Sequence, residues 1–219
     1  MARIVFDLDG TLVHSTPTLC AAGNRLLAEL GRGPVAPGDY AGFVGHGMAH
    51  QVGSLLKHTG GIPAEGFDAC LTRFREIYDA DPVTGTEVYD GVPACLEALA
   101  ASGHRLGVCT QKPSAPTRGI LEATGLAPFL SGVTTGDSLD VLKPDPAMLE
   151  HTAAQMGDGP LIFVGDSETD ALTAASAKVP FLLHVNGYRQ APVAEIPHDA
   201  AFDSFGELPE LVARTVVAA

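Results

Sequence analysis

At 219 residues, 46% hydrophobic and 18% charged, the chain can bury a sizeable core, as one large domain or as a core domain carrying a smaller inserted one. Its formal charge of −13 argues against a nucleic-acid binder, which needs an excess of Lys and Arg to meet phosphate backbones. No apolar run approaches the ~18 residues of a membrane span, and Cys20, Cys70, Cys95 and Cys109 form no CxxC pair. The thiols therefore read as small core hydrophobes in a reducing, cytoplasmic protein.

Arg3–Leu8 (RIVFDL) is a short run rich in β-formers and predicts the first strand. From His14 to Val83 no strand pattern follows, and apolar residues recur at helical spacing. Leu19, Gly23, Leu26, Leu27 and Leu30 make one face, Met48, Val52, Leu55 and Leu56 a second, and Phe67, Cys70, Leu71, Phe74, Ile77 and Tyr78 a third. Thr16-Pro17 suits a helix start, because proline at the first helical position gives up no hydrogen bond. Pro34, Pro37 and Gly38 are expected to break this helical stretch, and Asp81-Pro82 to end it.

Beyond it, strand-like and helical segments alternate. Val92–Ala101, Ala115–Thr124, Pro146–Met156 and Glu168–Ala177 read as helices, and Gly103, Gly125 and Gly157 follow three of them, where a left-handed residue closes a helix. Arg105–Cys109, Gly132–Thr135, Leu161–Val164 and Phe181–Val185 read as strands. The alternation predicts an α/β fold, a doubly wound (Rossmann-like) parallel sheet with an inserted α-helical unit. The expected division is a core of 1–13 and 84–219 with a helical insert of 14–83.

In such a sheet, functional side chains gather beyond the C-terminal ends of the strands. Asp7 and Asp9 follow the first strand, Thr110 the second, and Asp166 and Asp170 the LIFV strand, with Lys143 ahead of the helix leading to it. Any one aspartate is explained as a turn or N-cap residue; the convergence of all of them is not. A hard cation such as Mg²⁺ takes one or two carboxylates, waters and a substrate phosphate. Asp166 and Asp170, four apart at a helix start, can face one point. Lys143 and the Thr110 hydroxyl can hold phosphoryl oxygens. His50, His58, His104, His151, His184 and His198 have no zinc-ligand spacing.

Asp7-Leu8-Asp9-Gly10-Thr11-Leu12-Val13, Thr110-Gln111-Lys112-Pro113, Lys143-Pro144-Asp145-Pro146 and Gly165 to Asp170 resemble, in order, the four motifs of the haloacid dehalogenase superfamily of phosphatases. The 14–83 segment resembles its smaller α-helical cap. Within the superfamily the chain is most similar to bacterial phosphoglycolate phosphatases, on the TQKP segment, Phe163–Ser167, Gly187-Tyr188 and the loop Val44-Gly45-His46-Gly47. It departs from them at His14, where Asp or Asn is usual, and at Gln111, where Asn is usual.

The resemblance implies a Mg²⁺-dependent phosphatase acting on a small anionic metabolite, 2-phosphoglycolate first, through an aspartyl-phosphate. Asp7 would be the nucleophile and Asp9 the general acid and base. Asp7, Asp166 and the Asp9 backbone carbonyl would hold the metal, with Asp170 outside them orienting a water or Lys143. Thr110, Gln111 and Lys143 would bind phosphate, and His46 would touch the substrate or merely cover a turn. Lys112 reads equally as a neighbour of the site and as an ordinary exposed lysine, and Cys109 as core. A sugar-phosphate phosphatase or a phosphomutase of the same superfamily stays open. A 2-haloacid dehalogenase has no use for Asp9, and a phospho-receiver module has no use for the large insert.

Overall fold

The computed structural model describes residues 1–218. Its strands are β1 (Arg3–Phe6), β2 (Val13–His14), β3 (Glu87–Val88), β4 (Arg105–Cys109), β5 (Leu130–Thr134), β6 (Leu161–Gly165), β7 (Phe181–His184) and β8 (Ala200–Phe202). Its α-helices are α1 (Thr16–Glu29), α2 (Pro37–Ala41), α3 (Met48–His58), α4 (Phe67–Asp79), α5 (Val92–Ala101), α6 (Ser114–Ala123), α7 (Ala147–Ala154), α8 (Glu168–Ala177) and α9 (Leu208–Ala218).

Six strands form one sheet in the order β5-β4-β1-β6-β7-β8, every pair parallel. The expected α/β doubly wound core is what the chain builds. β1 is buried on both faces, as a parallel strand between crossovers must be. Ile4 and Phe6 pack with the apolar sides of α5, α6 and α9, while Val5 points the other way, to α7 and α8. Phe6 lies opposite Val108 of β4 and Val164 of β6, so the three strands run out at one edge of the sheet. The chain adds β4 and β5 on one side of β1 and β6 to β8 on the other. The crevice where the order reverses is thus at the end of β1.

The helical stretch between β2 and β3 has its own core. Leu19, Leu26 and Leu27 of α1, Tyr40 of α2, Val52, Leu55 and Leu56 of α3, and Phe74 and Tyr78 of α4 form one buried cluster, joined from the sheet side by Tyr188. Gly23 faces Tyr40, where a Cβ would come 2.6 Å from the ring, so the small residue lets α1 and α2 meet. Pro37 does not break this region; it occupies the first turn of α2, the helical position that needs no N–H. His14 also departs from expectation: with Val13 it pairs antiparallel to Glu87-Val88, a two-stranded ribbon where the chain leaves and re-enters the sheet domain.

All four cysteines are buried and unpaired. Among the described residues, no helix is long and apolar enough to cross a membrane.

Candidate active site

Asp7 leaves β1 and its N–H bonds Val164 O at 2.9 Å, which holds it beside β6. The chain then curls back: Gly10 N–H bonds Val13 O, and the N–H groups of Leu12 and Val13 bond Leu8 O. Gly10 takes φ +88°, and a Cβ there would overlap the Asp166 carboxyl group, 2.7 Å from its Cγ. The glycine is what lets the turn close over Asp166.

The Gly165–Asp170 segment is arranged by its own capping box. Ser167 caps α8 by accepting from Asp170 N–H, and Asp170 Oδ2 accepts from Ser167 N–H at 3.2 Å and Ser167 Oγ at 2.6 Å. With Oδ2 committed to the cap, Oδ1 faces Lys143 Nζ at 2.7 Å. Asp166 accepts from Thr11 Oγ1 at 2.9 Å and Tyr188 N–H at 2.6 Å. Thr11 and Tyr188 thus fix the orientation of Asp166, a role their sequence positions gave no means of assigning.

Asp7, Asp166 and Asp170, all buried, each offer an oxygen within 4.8 Å of the others. Lys143 Nζ stands 2.9 Å from Asp7 Oδ1, but out of line for a hydrogen bond, and this oxygen has no other partner. Charge rather than an aligned bond holds that pair. Burial pushes the Asp7 carboxyl up to about 7; Lys143 pulls against this, and Asp170 reinforces it. Asp166 is also raised well above the ordinary carboxylate range, first by burial and then by repulsion from Asp170 and Asp7. Lys143 is held charged above its usual range by Asp170 and Asp7, against its own desolvation. Three hard oxygens, that of buried Asp7 facing only the Lys143 ammonium, fit a small divalent cation. The Asp9 carboxylate stands outside this group. Its oxygens are taken by Ser15 Oγ and, at 3.0 Å, by Lys112 Nζ.

A cavity of about 40 Å³ lies above Asp7, lined by Asp9, Thr110, Gln111, Lys112 and Lys143 from the sheet side, and by Leu19, Val44, Gly45, Gly47, Met48 and Gln51 from the helices. Thr110 is buried, and its Oγ1 accepts from Lys112 N–H. Gln111 spends an amide hydrogen on Gly45 O at 2.6 Å, tying the sheet domain to the 44–47 loop. His46 is not among the residues lining the cavity; it is exposed, and its ring meets Thr169 Oγ1 at 3.3 Å. Cys109 is fully buried with its thiol pushed up to about 12, which suits core and not a nucleophile. Lys112 is no ordinary exposed lysine: it is buried, with Nζ 2.8 Å from Tyr78 Oη on α4.

The haloacid dehalogenase-like hydrolase family model matches residues 1–178. A phosphoglycolate phosphatase of Cereibacter sphaeroides is 45% identical over 98% of this chain and 99% of its own length. One from Rhodospirillum rubrum is 42% identical over 94% and 88%. The crystal structure of a predicted phosphoglycolate phosphatase from Haemophilus somnus superposes with a TM-score of 0.90 at 29% identity, covering 97% of this chain and 98% of that one. With a fold, a motif order and full-length relatives that agree, the chain belongs to the haloacid dehalogenase-like hydrolases.

Proposed function

We propose that the protein is a Mg²⁺-dependent phosphatase that hydrolyses 2-phosphoglycolate to glycolate and phosphate through an aspartyl-phosphate on Asp7. The observation that carries this reading is the buried Asp7 oxygen without a hydrogen bond, on the wall of a small cavity that Lys143 and Asp9 share. The names of the full-length relatives support the substrate.

Asp7 attacks phosphorus in line with the ester oxygen. The bond to that oxygen breaks, and Asp9 delivers a proton to the departing glycolate. Asp9 then takes a proton from the water that attacks the aspartyl-phosphate, which releases phosphate and restores Asp7. Lys143 and Thr110 hold the equatorial oxygens, where positioning and charge do most of the work of phosphoryl transfer. Asp7, Asp166 and the Asp9 backbone carbonyl would hold Mg²⁺, with Asp170 orienting Lys143. When bound, the ion neutralises phosphoryl oxygens and keeps Asp7 ionised.

Residues 14–83 serve as a helical cap that excludes water, hinged at the β2–β3 ribbon. The loop carrying His46 contributes specificity through Gly45 and Gly47, which line the cavity, more than through the imidazole. Gln111 positions that loop and lends its side of the cavity to phosphate binding. Four buried unpaired thiols support a cytoplasmic setting.

The test is hydrolysis of 2-phosphoglycolate, sugar phosphates, nucleotides and pyrophosphate side by side, with Mg²⁺ and after chelation. The expected result is a clear preference for 2-phosphoglycolate, lost with the metal. Equal kcat/KM across the panel would make the enzyme a generalist, and metal-independent turnover would sink the mechanism.

A further inference from the structure

Both oxygens of the Asp9 carboxylate are held by groups that the helical insert controls. Ser15, which precedes α1, donates to Oδ1. Lys112, on the loop after β4, approaches Oδ2 at 3.0 Å and donates to Tyr78 Oη at 2.8 Å; its ammonium also lies 4.9 Å from the centre of the Tyr78 ring. Lys112 and Tyr78 are both buried. A buried ammonium is costly unless its hydrogens are taken up, and among the described residues Asp9 and Tyr78 are the partners that take them.

We propose that Lys112 is a positioning residue that ties Asp9 to Tyr78 of α4, so that Asp9 holds its working angle only while the insert is docked on the sheet domain. The proposal rests on the reading of Asp9 as the proton donor and acceptor. The chemical consequence is a coupling: drawing α4 away removes the Tyr78 hydroxyl and ring from Lys112, opens the ammonium to water and loosens its hold on Asp9 Oδ2. Proton transfer through Asp9, to glycolate and then from water, is thereby fastest while α4 is docked. Lys112 acts through the Asp9 carboxylate in this scheme, not on the phosphoryl group.

Tyr78→Phe is the cleanest probe, because it deletes one hydroxyl and leaves the Lys112–Asp9 pair in place; Lys112→Gln is the second. Each is measured with 2-phosphoglycolate in the wild-type and Asp9→Asn backgrounds, together with melting temperature. The expected result is a fall in kcat of about 10-fold or more in the wild-type background, KM changing less than about 2-fold, and almost no further loss on top of Asp9→Asn, since residues that act through one group are non-additive. A loss of equal size in both backgrounds would overturn the proposal. So would a loss confined to KM for 2-phosphoglycolate and absent for a carboxylate-free phosphate ester, which would make Lys112 a substrate contact. Near-native turnover in Asp9→Asn alone would instead bring down the acid–base reading on which the proposal rests.

Discussion

Gly10 and Asp166 are in contact across the end of the sheet, 156 positions apart in the chain: the turn after β1 closes so tightly over the carboxylate that no Cβ fits between them. Gly10→Ala therefore carries two penalties, an alanine at φ +88° and an overlap with the group proposed to hold the metal. Expected is a loss of at least about 100-fold in kcat/KM, with apparent Mg²⁺ affinity reduced and the fold retained. Activity titrated against Mg²⁺, with circular dichroism, decides it; native Mg²⁺ affinity in the variant would show that Asp166 does not need this turn.

Much of this architecture is legible in the amino-acid order, for a physical reason. β4, α5 and α8 begin and end where their apolar patterns do, and Gly103, Gly125 and Gly157 have positive φ past three helix ends. Those features are local. β8, with only Ala200–Phe202, and the ribbon of Val13-His14 against Glu87-Val88 are too short to show a period, so only tertiary pairing defines them. α9 follows the last motif and carries none of its own, although Leu208 and Val212 complete the core on its side. At the site, the aspartates and Lys143 stand at strand and helix ends, as their motifs imply. The burial of Lys112 depends on Asp9 and Tyr78, and the tilt of Asp166 on Tyr188, partners a linear reading does not bring together.

Lys143 is the charge that keeps Asp7 and Asp170 together. Lys143→Met should destabilise the metal-free protein by about 3–5 kcal/mol at pH about 8, the usual cost of leaving buried charge without its partner. The deficit should shrink at pH about 5.5, because the variant's carboxyls can then take up protons and shed their charge. Urea unfolding at the two pH values measures it, and a deficit independent of pH would mean lost packing rather than lost charge.

Edge strand β5 is guarded by a side chain. The Gln155 amide, past the end of α7, accepts from Val133 N–H at 3.1 Å and donates to Val133 O at 3.3 Å, standing in for a missing strand. Gln155→Ala should cost about 1 kcal/mol and leave the Val133 backbone free to pair with another chain. Light scattering on heating, at several protein concentrations, should show earlier association than wild type. Unchanged association with the same loss of stability would limit Gln155 to a local bond.

Protons and a divalent cation compete for the same carboxylates. Unfolded, Asp7 titrates near the ordinary aspartate value of 3.8; folded and metal-free, burial and Asp170 carry it up to about 7 despite Lys143, and Asp166 is raised as well. Between about pH 4 and 7 the folded state thus binds more protons than the unfolded one, so stability falls as pH rises through that window and the penalty is complete above it. Mg²⁺ bound at these oxygens meets protonated, unreceptive groups at low pH and carboxylates at high pH. Its stabilisation, roughly 2.7 kcal/mol at a hundred times Kd, should therefore emerge as pH rises past about 7. The measurement is Tm with Mg²⁺ and with a chelator from pH about 5.5 to 8.5. The chelated protein should melt lower toward the alkaline end, and the Mg²⁺-induced rise should go from near nothing to several degrees, at roughly 2–4 °C per kcal/mol for a chain this long. Asp7→Asn, which has no proton to lose, should flatten the chelated curve and shrink the Mg²⁺ shift at every pH. A wild-type Mg²⁺ shift that is the same at both ends of the range would mean that the ion binds away from Asp7 and Asp166.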